Sequence, residues 1–197
     1  MMAQPAVLKL GGSLFDVPDL ASRLRRFLAT LEERTVLIVP GGGRAADAVR
    51  ELDQRHGLGE EASHWLAMRA LTLNAHFLAE LLAPAQVIQD PRQCLSLAGE
   101  GTLAILDGHS FARRDERDHP DRALPHRWSA TSDALAARVA VALAAGRLIL
   151  LKSVTVPRGM DWHAAARRGW VDQTFPALVE RADPGLTVEA INLREWE

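Results

Sequence analysis

Two glycine-rich turns, each set between a short apolar run and a helical repeat, limit what this chain can become. Ala6–Leu10 runs into Gly11-Gly12-Ser13, and Thr35–Val39 runs into Pro40-Gly41-Gly42-Gly43. After the first turn, Leu20, Leu24, Phe27, Leu28 and Leu31 fall on one helical face, with Pro18 near its start. After the second, Ala45, Ala48, Val49 and Leu52 do the same. Repeated strand–turn–helix units place strands side by side in parallel, with the helices crossing over the sheet.

The rest of the chain extends that pattern. A helix is expected over Glu60–Leu82, with Leu71, Ala75, Leu78 and Leu82 inward, closed by Pro84. Strands are expected at Gln86–Gln89 and Gly101–Leu106. Arg113–Arg122, charged and containing proline, reads as an exposed loop, with His109, His119 and His126 in or beside it and solvated. Ser132 is placed to cap a helix that buries Leu135, Val139 and Leu143. Gly146 ends it, Arg147–Leu151 returns as a strand, and a last strand is expected at Thr187–Ile191. The expected fold is α/β, a three-layer α-β-α sandwich with a mainly parallel central sheet. No linker or repeat divides it, so residues 1–197 are read as one domain.

Composition removes several functions. The net charge is −2, and no basic stripe is interleaved with aromatics, which argues against nucleic acid. The longest apolar stretch, Leu135–Leu151, is broken by Arg138, Gly146 and Arg147, so no membrane span is expected. Met1-Met2-Ala3-Gln4-Pro5 lacks the basic and apolar regions of a signal peptide, and a cytoplasmic protein is expected. Cys94, the only cysteine, excludes an internal disulfide and a multi-thiolate zinc site; it reads as a buried, inert thiol. Among 23 basic residues only Lys9 and Lys152 are lysines, and each stands at the end of an apolar run. Their placement points to a need for ammonium groups in particular.

A glycine turn opening a helix lets backbone approach an anion at the positive end of the helix dipole. Two such turns with a lysine beside the first describe facing anion sites, the arrangement phosphoryl transfer requires. No Walker A sequence occurs. Gly41, Gly43 and Ala46 match G-x-G-x-x-A, but Arg55–Glu61, where a dinucleotide site needs a strand and its acidic end, is polar and turn-like.

The order Lys9-Leu10-Gly11-Gly12-Ser13, Pro40-Gly41-Gly42-Gly43 and Thr131-Ser132-Asp133-Ala134-Leu135-Ala136 resembles the amino acid kinase superfamily, which includes acetylglutamate, aspartate and uridylate kinases. Within it, Ala62–Met68 and Pro125–Asp133 resemble the small kinases that phosphorylate aminomethylfuran methyl phosphate in methanofuran synthesis. The resemblance implies a kinase using ATP with Mg²⁺, acting on a small anionic acceptor, and a homo-oligomer. It implies catalytic roles for Lys9, Asp133 and Lys152. Gly11, Gly12, Ser13 and Lys152 would serve the ATP phosphates, and Gly41, Gly42 and Gly43 the acceptor's anionic group. His64 and Ser132 would contact the acceptor, and Trp128 would be a packing anchor. No residue set points to a metal site of the protein's own. One stretch departs from the family. Thr-Asp-Val-Asp-Gly is replaced by Ser153-Val154-Thr155-Val156-Pro157-Arg158-Gly159, where Arg158 is the candidate phosphate contact. Two other readings compete with the kinase: a non-catalytic nucleotide-binding sensor of the same fold, and a dinucleotide-dependent oxidoreductase.

Overall fold

Six strands form one sheet in the computed structural model, which describes residues 4–196; Met1–Ala3, part of the N-terminal stretch considered for a signal peptide, and Glu197 lie outside the described residues. The strands are β1 (Ala6–Leu10), β2 (Val36–Pro40), β3 (Ala85–Ile88), β4 (Leu103–Leu106), β5 (Arg147–Lys152) and β6 (Thr187–Asn192). Their order is β3-β4-β2-β1-β5-β6, and every pairing is parallel. The central strands are short and mostly apolar because helices cover both faces, and Lys9 and Lys152 are their buried polar residues; β3 and β6, at the edges, carry Gln86, Thr187, Glu189 and Asn192.

One face carries α1 (Leu20–Ala29), whose Leu20, Leu24 and Phe27 pack with Leu8, Leu10, Ile38, Ile149 and Leu151. The other carries α6 (Ser132–Ala142), with Leu135 and Val139 against Val7, Leu37, Leu148 and Leu150. The 23-residue α3 (Glu60–Leu82) serves both cores: Trp65, Met68 and Leu71 join the second, Ala75, Leu78 and Leu82 the first. Side chains alternate across a strand, so Lys9 lies on the face of Val7, and Lys152 on the face of Leu148 and Leu150. Both lysines are thus delivered to the α6 side. Cys94 is buried as expected, its thiol pushed up to about 11 by burial.

Three expectations are corrected. Arg113–Arg122 is not a loop: α5 (Gly108–Asp118) runs through its first half and a 3-10 turn, Pro120–Arg122, through the rest. Asp107 caps α5 by accepting from the Ser110 N–H, and Phe111 and Asp115 sit four apart on its buried face. Asp115 pairs there with Arg138 of α6, so a charge expected at the surface lies inside. Second, α2 (Gly43–His56) is helical but fully buries none of its residues, and Leu52 stays 47% exposed. Third, the N-cap of α6 is Thr131, not Ser132, and Thr131's own side chain makes no capping bond to the helix.

Candidate active site

Both glycine turns and Lys152 lie at the carboxyl ends of β1, β2 and β5, three adjacent strands in the middle of the sheet. Connections leave β1 toward β2 on one side while β5 lies on the other, which is where crevices form in sheets of this kind. The two turns touch backbone to backbone. A Cβ on Gly12 would stand 2.3 Å from the Gly43 nitrogen, and one on Gly43, at φ +49°, would stand 2.6 Å from the Gly12 oxygen. Only glycine fits at either position.

The glycines then divide. Gly11 N–H donates to the Leu151 carbonyl at 2.8 Å, and Gly41 N–H to the Leu10 carbonyl at 2.8 Å. These two extend the sheet ladder, so their N–H groups are already engaged and any part they take at the site is in shaping the turns. Gly12, Ser13, Gly42 and Gly43 instead line a cavity of about 260 Å³. Asn74 of α3 ties the second turn in place, its side-chain N–H donating to the Gly41 and Gly42 carbonyls at 2.7 and 2.8 Å. Nothing in the local sequence marked Asn74, because its partners lie 32 and 33 residues away.

Asp133 sits in the first turn of α6 and faces both lysines. Lys9 Nζ stands 2.8 Å from its Oδ1, and Lys152 Nζ stands 2.8 and 2.7 Å from Oδ1 and Oδ2. All three residues are buried. Burial opposes the carboxylate, but the Lys9 and Lys152 charges overcome it and hold the Asp133 pKa at about 2. Burial, with the Lys9 charge beside it, lowers Lys152 to about 8. The Lys9 charge thus acts on both neighbours, favouring the Asp133 carboxylate and adding to the burial that opposes the Lys152 ammonium. Such a site attracts an anion.

The cavity is walled by Ala67, Met68 and Leu71 of α3, by Thr131 and Ser132, and by Arg50, His64, Arg127 and Trp128. Trp128, expected only to pack, forms part of the wall; the Arg50 guanidinium lies 4.5 Å over its ring and its indole N–H donates to Asp53. His64 is held neutral, burial pushing its pKa down to about 4. His126 is not solvated either: it stacks on His64 at 4.7 Å and lies between Glu61 and Glu116. His109 is half-buried, and His119 is exposed as expected. The amino ends of α2 and α6 both open on this cavity, adding helix-dipole attraction for anions. Arg158 is elsewhere, exposed beside a second cavity of about 570 Å³ formed by Thr155–Met160, Trp162 and Glu189–Asn192. Ser13 and Ser153 bridge the two regions through their hydroxyls at 2.7 Å.

The model of the amino acid kinase family matches residues 4–155. The chain belongs to the amino acid kinase family. It is 25% identical over 194 residues to (5-(aminomethyl)furan-3-yl)methyl phosphate kinase of Methanocaldococcus jannaschii, covering 89% of this chain and 82% of that protein. Uridylate kinase from Archaeoglobus fulgidus superposes with TM-score 0.64 at 20% identity, over 95% of this chain and 90% of that one. UMP kinase from Bacillus anthracis gives 0.67 at 14% identity, over 99% and 89%. The chain is therefore a kinase, a phosphotransferase with the fold of the UMP kinases. The dinucleotide reading ends here as well, since α2 is followed by α3 and not by a strand. Among the described residues no group of three or more His, Cys, Asp or Glu is placed to hold a metal ion, and no helix is long and apolar enough to cross a membrane.

Proposed function

We propose that this kinase moves the γ-phosphoryl group of ATP onto a small phosphate-bearing acceptor, with aminomethylfuran methyl phosphate as its leading candidate. The observation that carries the reading is the buried Lys9–Asp133–Lys152 cluster beside a cavity edged by both glycine turns. The bond from the γ-phosphorus to the β–γ bridging oxygen breaks as an acceptor phosphate oxygen bonds to that phosphorus. The products are ADP and a diphosphate. Charge spreads over the transferring group, and Lys9 and Lys152 neutralise it, Lys152 toward the leaving oxygen. Asp133 holds both ammonium groups in place and accepts no proton, since its pKa stays near 2. A phosphate acceptor is already ionised, so no general base is required.

In this reading Gly12 and Ser13 bind the nucleotide phosphates, while Gly42, Gly43 and Ser132 bind the acceptor's anionic end. His64 and Trp128 bound its ring. The second cavity, lined by Arg158, would take the rest of the nucleotide. With both oxygens of Asp133 engaged by lysines, the protein offers no metal site of its own there, and Mg²⁺ arrives with ATP, neutralising its phosphate oxygens. A cytoplasmic location and one domain over the whole chain belong to the same proposal. So does self-association, supported by the exposed Leu66, Leu73 and Phe77 along α3.

ATP consumption with Mg²⁺, measured against aminomethylfuran methyl phosphate, UMP and acetylglutamate, tests the reading. Turnover with the furan phosphate that disappears in Lys9→Ala is expected. Turnover with UMP or acetylglutamate in its place would reject the acceptor.

A further inference from the structure

The carboxylate that caps the helix bearing Asp133 comes from far along the chain. Thr131, at the N-cap, turns its hydroxyl away from the helix, donating it to Asp172 Oδ2 at 3.1 Å. The same oxygen accepts the Thr131 N–H at 3.0 Å and the Ala134 N–H at 2.8 Å. Its other oxygen accepts the Phe175 N–H at 2.9 Å, at the start of α8 (Phe175–Glu180). Two residues on, Thr174 donates its N–H and its hydroxyl to the Ser129 carbonyl at 3.2 and 3.0 Å. Five hydrogen bonds thus fasten residues 129–134 to residues 172–174, and a sixth, within the second segment, seats Asp172 at the start of α8. The match to the family model ends at residue 155, so Asp172 and Thr174 lie beyond it while residues 129–134 lie within.

A surface helix is ordinarily capped by its own Ser, Thr, Asp or Asn. Here a remote carboxylate fills that place on the one helix whose first turn must hold a buried anion between two ammonium groups. We infer that Asp172 is a positioning residue for phosphoryl transfer: it fixes the first turn of α6, and through it Asp133, and it places a second carboxylate against that turn. This rests on the kinase reading for its catalytic part, and for its electrostatic part on the hydrogen bonds that hold the Asp172 carboxylate to the backbone on either side of Ser132 and Asp133.

Asp172 lines neither the acceptor cavity nor the one beside Arg158. It touches the backbone of residues 131 and 134, which flank Ser132 and Asp133, so a shift of this turn moves the carboxylate that aligns both lysines. The charges acting on Lys152 are Lys9 on β1, Asp133 on α6 and, last in strength, Asp172 in the loop before α8. Only Asp133 touches the lysines, and Asp172 adds a second carboxylate behind it. Burial and the Asp133 charge raise the pKa of Asp172, and the Ala134 and Thr131 N–H donors work against that rise. The cap is thus a buried carboxylate that the helix end favours and burial opposes.

The chain's two lysines make the test direct. Protein labelled with ¹³C at lysine Cε gives only two titrating signals, assigned with Lys9→Arg. In Asp172→Asn the Lys152 midpoint is expected to fall by about half a pH unit, because a nearby anion has been removed. With turnover by the wild type in hand, kcat of Asp172→Asn is expected to drop about tenfold, with both KM values within about twofold. Asp172→Glu keeps the charge but displaces the cap by one methylene, so it should lower kcat while leaving the Lys152 midpoint near the wild-type value. Thr174→Ala loosens the brace without touching charge and leaves the midpoint in place.

An unmoved midpoint in Asp172→Asn, in folded protein by thermal melt, overturns the electrostatic part; unchanged kcat overturns the positioning part. If Asp172→Asn does not fold, the Glu variant decides: wild-type kcat there overturns positioning, and a midpoint that falls overturns the charge argument. If the wild type turns over none of the three acceptors, the acceptor assignment has failed, and the lysine titration still decides the role of Asp172.

Discussion

Replacing Asp133 with Asn removes one charge and almost no volume, so its effect on the fold is electrostatic. In the native protein the carboxylate sits at a pKa of about 2 against an ordinary 3.8, a stabilisation of roughly 2 kcal/mol at neutral pH. Its loss also leaves Lys9 and Lys152 with no carboxylate in contact, and breaking a buried pair in this way costs about 3–5 kcal/mol. The Asn oxygen recovers part of that as a neutral hydrogen bond. A net loss of about 3 kcal/mol at pH 7 is expected, roughly a hundredfold in the unfolding constant. The loss must depend on pH. Lys152, at about 8 in the folded protein and 10.5 as a free side chain, opposes folding below pH 8 and is relieved as pH climbs from about 8 to 10.5. Removing its partner enlarges that penalty at pH 7, while near pH 10.5 the neutral amine no longer needs a carboxylate. Urea unfolding of both proteins at about pH 7 and about pH 10 measures this, and the gap should narrow to about 1 kcal/mol at the higher pH. Equal gaps at both pH values would refute the electrostatic account and leave a packing effect in its place.

Acid acts on the same cluster from the other side. The folded pKa of Asp133 lies below its unfolded value, so its contribution is complete above about pH 4 and is lost as pH falls through about 2; chemical denaturation at pH 6 and pH 3 checks that decline. Gly12→Ala forces a Cβ to 2.3 Å from the Gly43 nitrogen, and the backbone cannot yield without separating the two turns. A loss of more than about 2 kcal/mol in urea, with no measurable phosphorylation, is expected. Trp128→Ala opens the acceptor wall. Steady-state kinetics should show the acceptor KM rising about tenfold while the ATP KM holds.

Much of the fold is legible in the sequence because its strands are announced twice, by apolar runs and by the turns that end them. The helix over Glu60–Leu82 is legible to the residue, since its inward positions recur without a break and Pro84 comes close behind. Where sequence and structure part, the local pattern is sound but its partner is distant. Arg113–Arg122 reads as solvated from its charges, yet Asp115 goes inward to meet Arg138, 23 residues away. Ala45, Ala48, Val49 and Leu52 have helical spacing and do form a helix, but it packs on α3 and the first glycine turn and none of its residues is fully buried.

The lysine–aspartate cluster is legible for a related reason. Lysine is so scarce here that two at strand ends stand out, and strand parity then forces both onto the face where α6 lies. Their carboxylate is legible only through the resemblance, which carries Thr131-Ser132-Asp133 as a family motif; by local pattern Asp133 reads equally well as a charge at a helix start. The sequence pattern does not separate Gly11 from Gly12, or Gly41 from Gly42. That division depends on which N–H the neighbouring strand consumes, and only the register of β1 against β5 and β2 decides it. Asp172 is beyond local reading for a stronger reason. A cap supplied within the helix leaves a signature at the helix start, but here Thr131 carries that signature and turns away from it, while the residue that replaces it lies 41 positions later. An N-terminal cap that looks adequate in sequence can thus conceal a second carboxylate at the site, and in this chain that carboxylate braces the turn that carries Asp133.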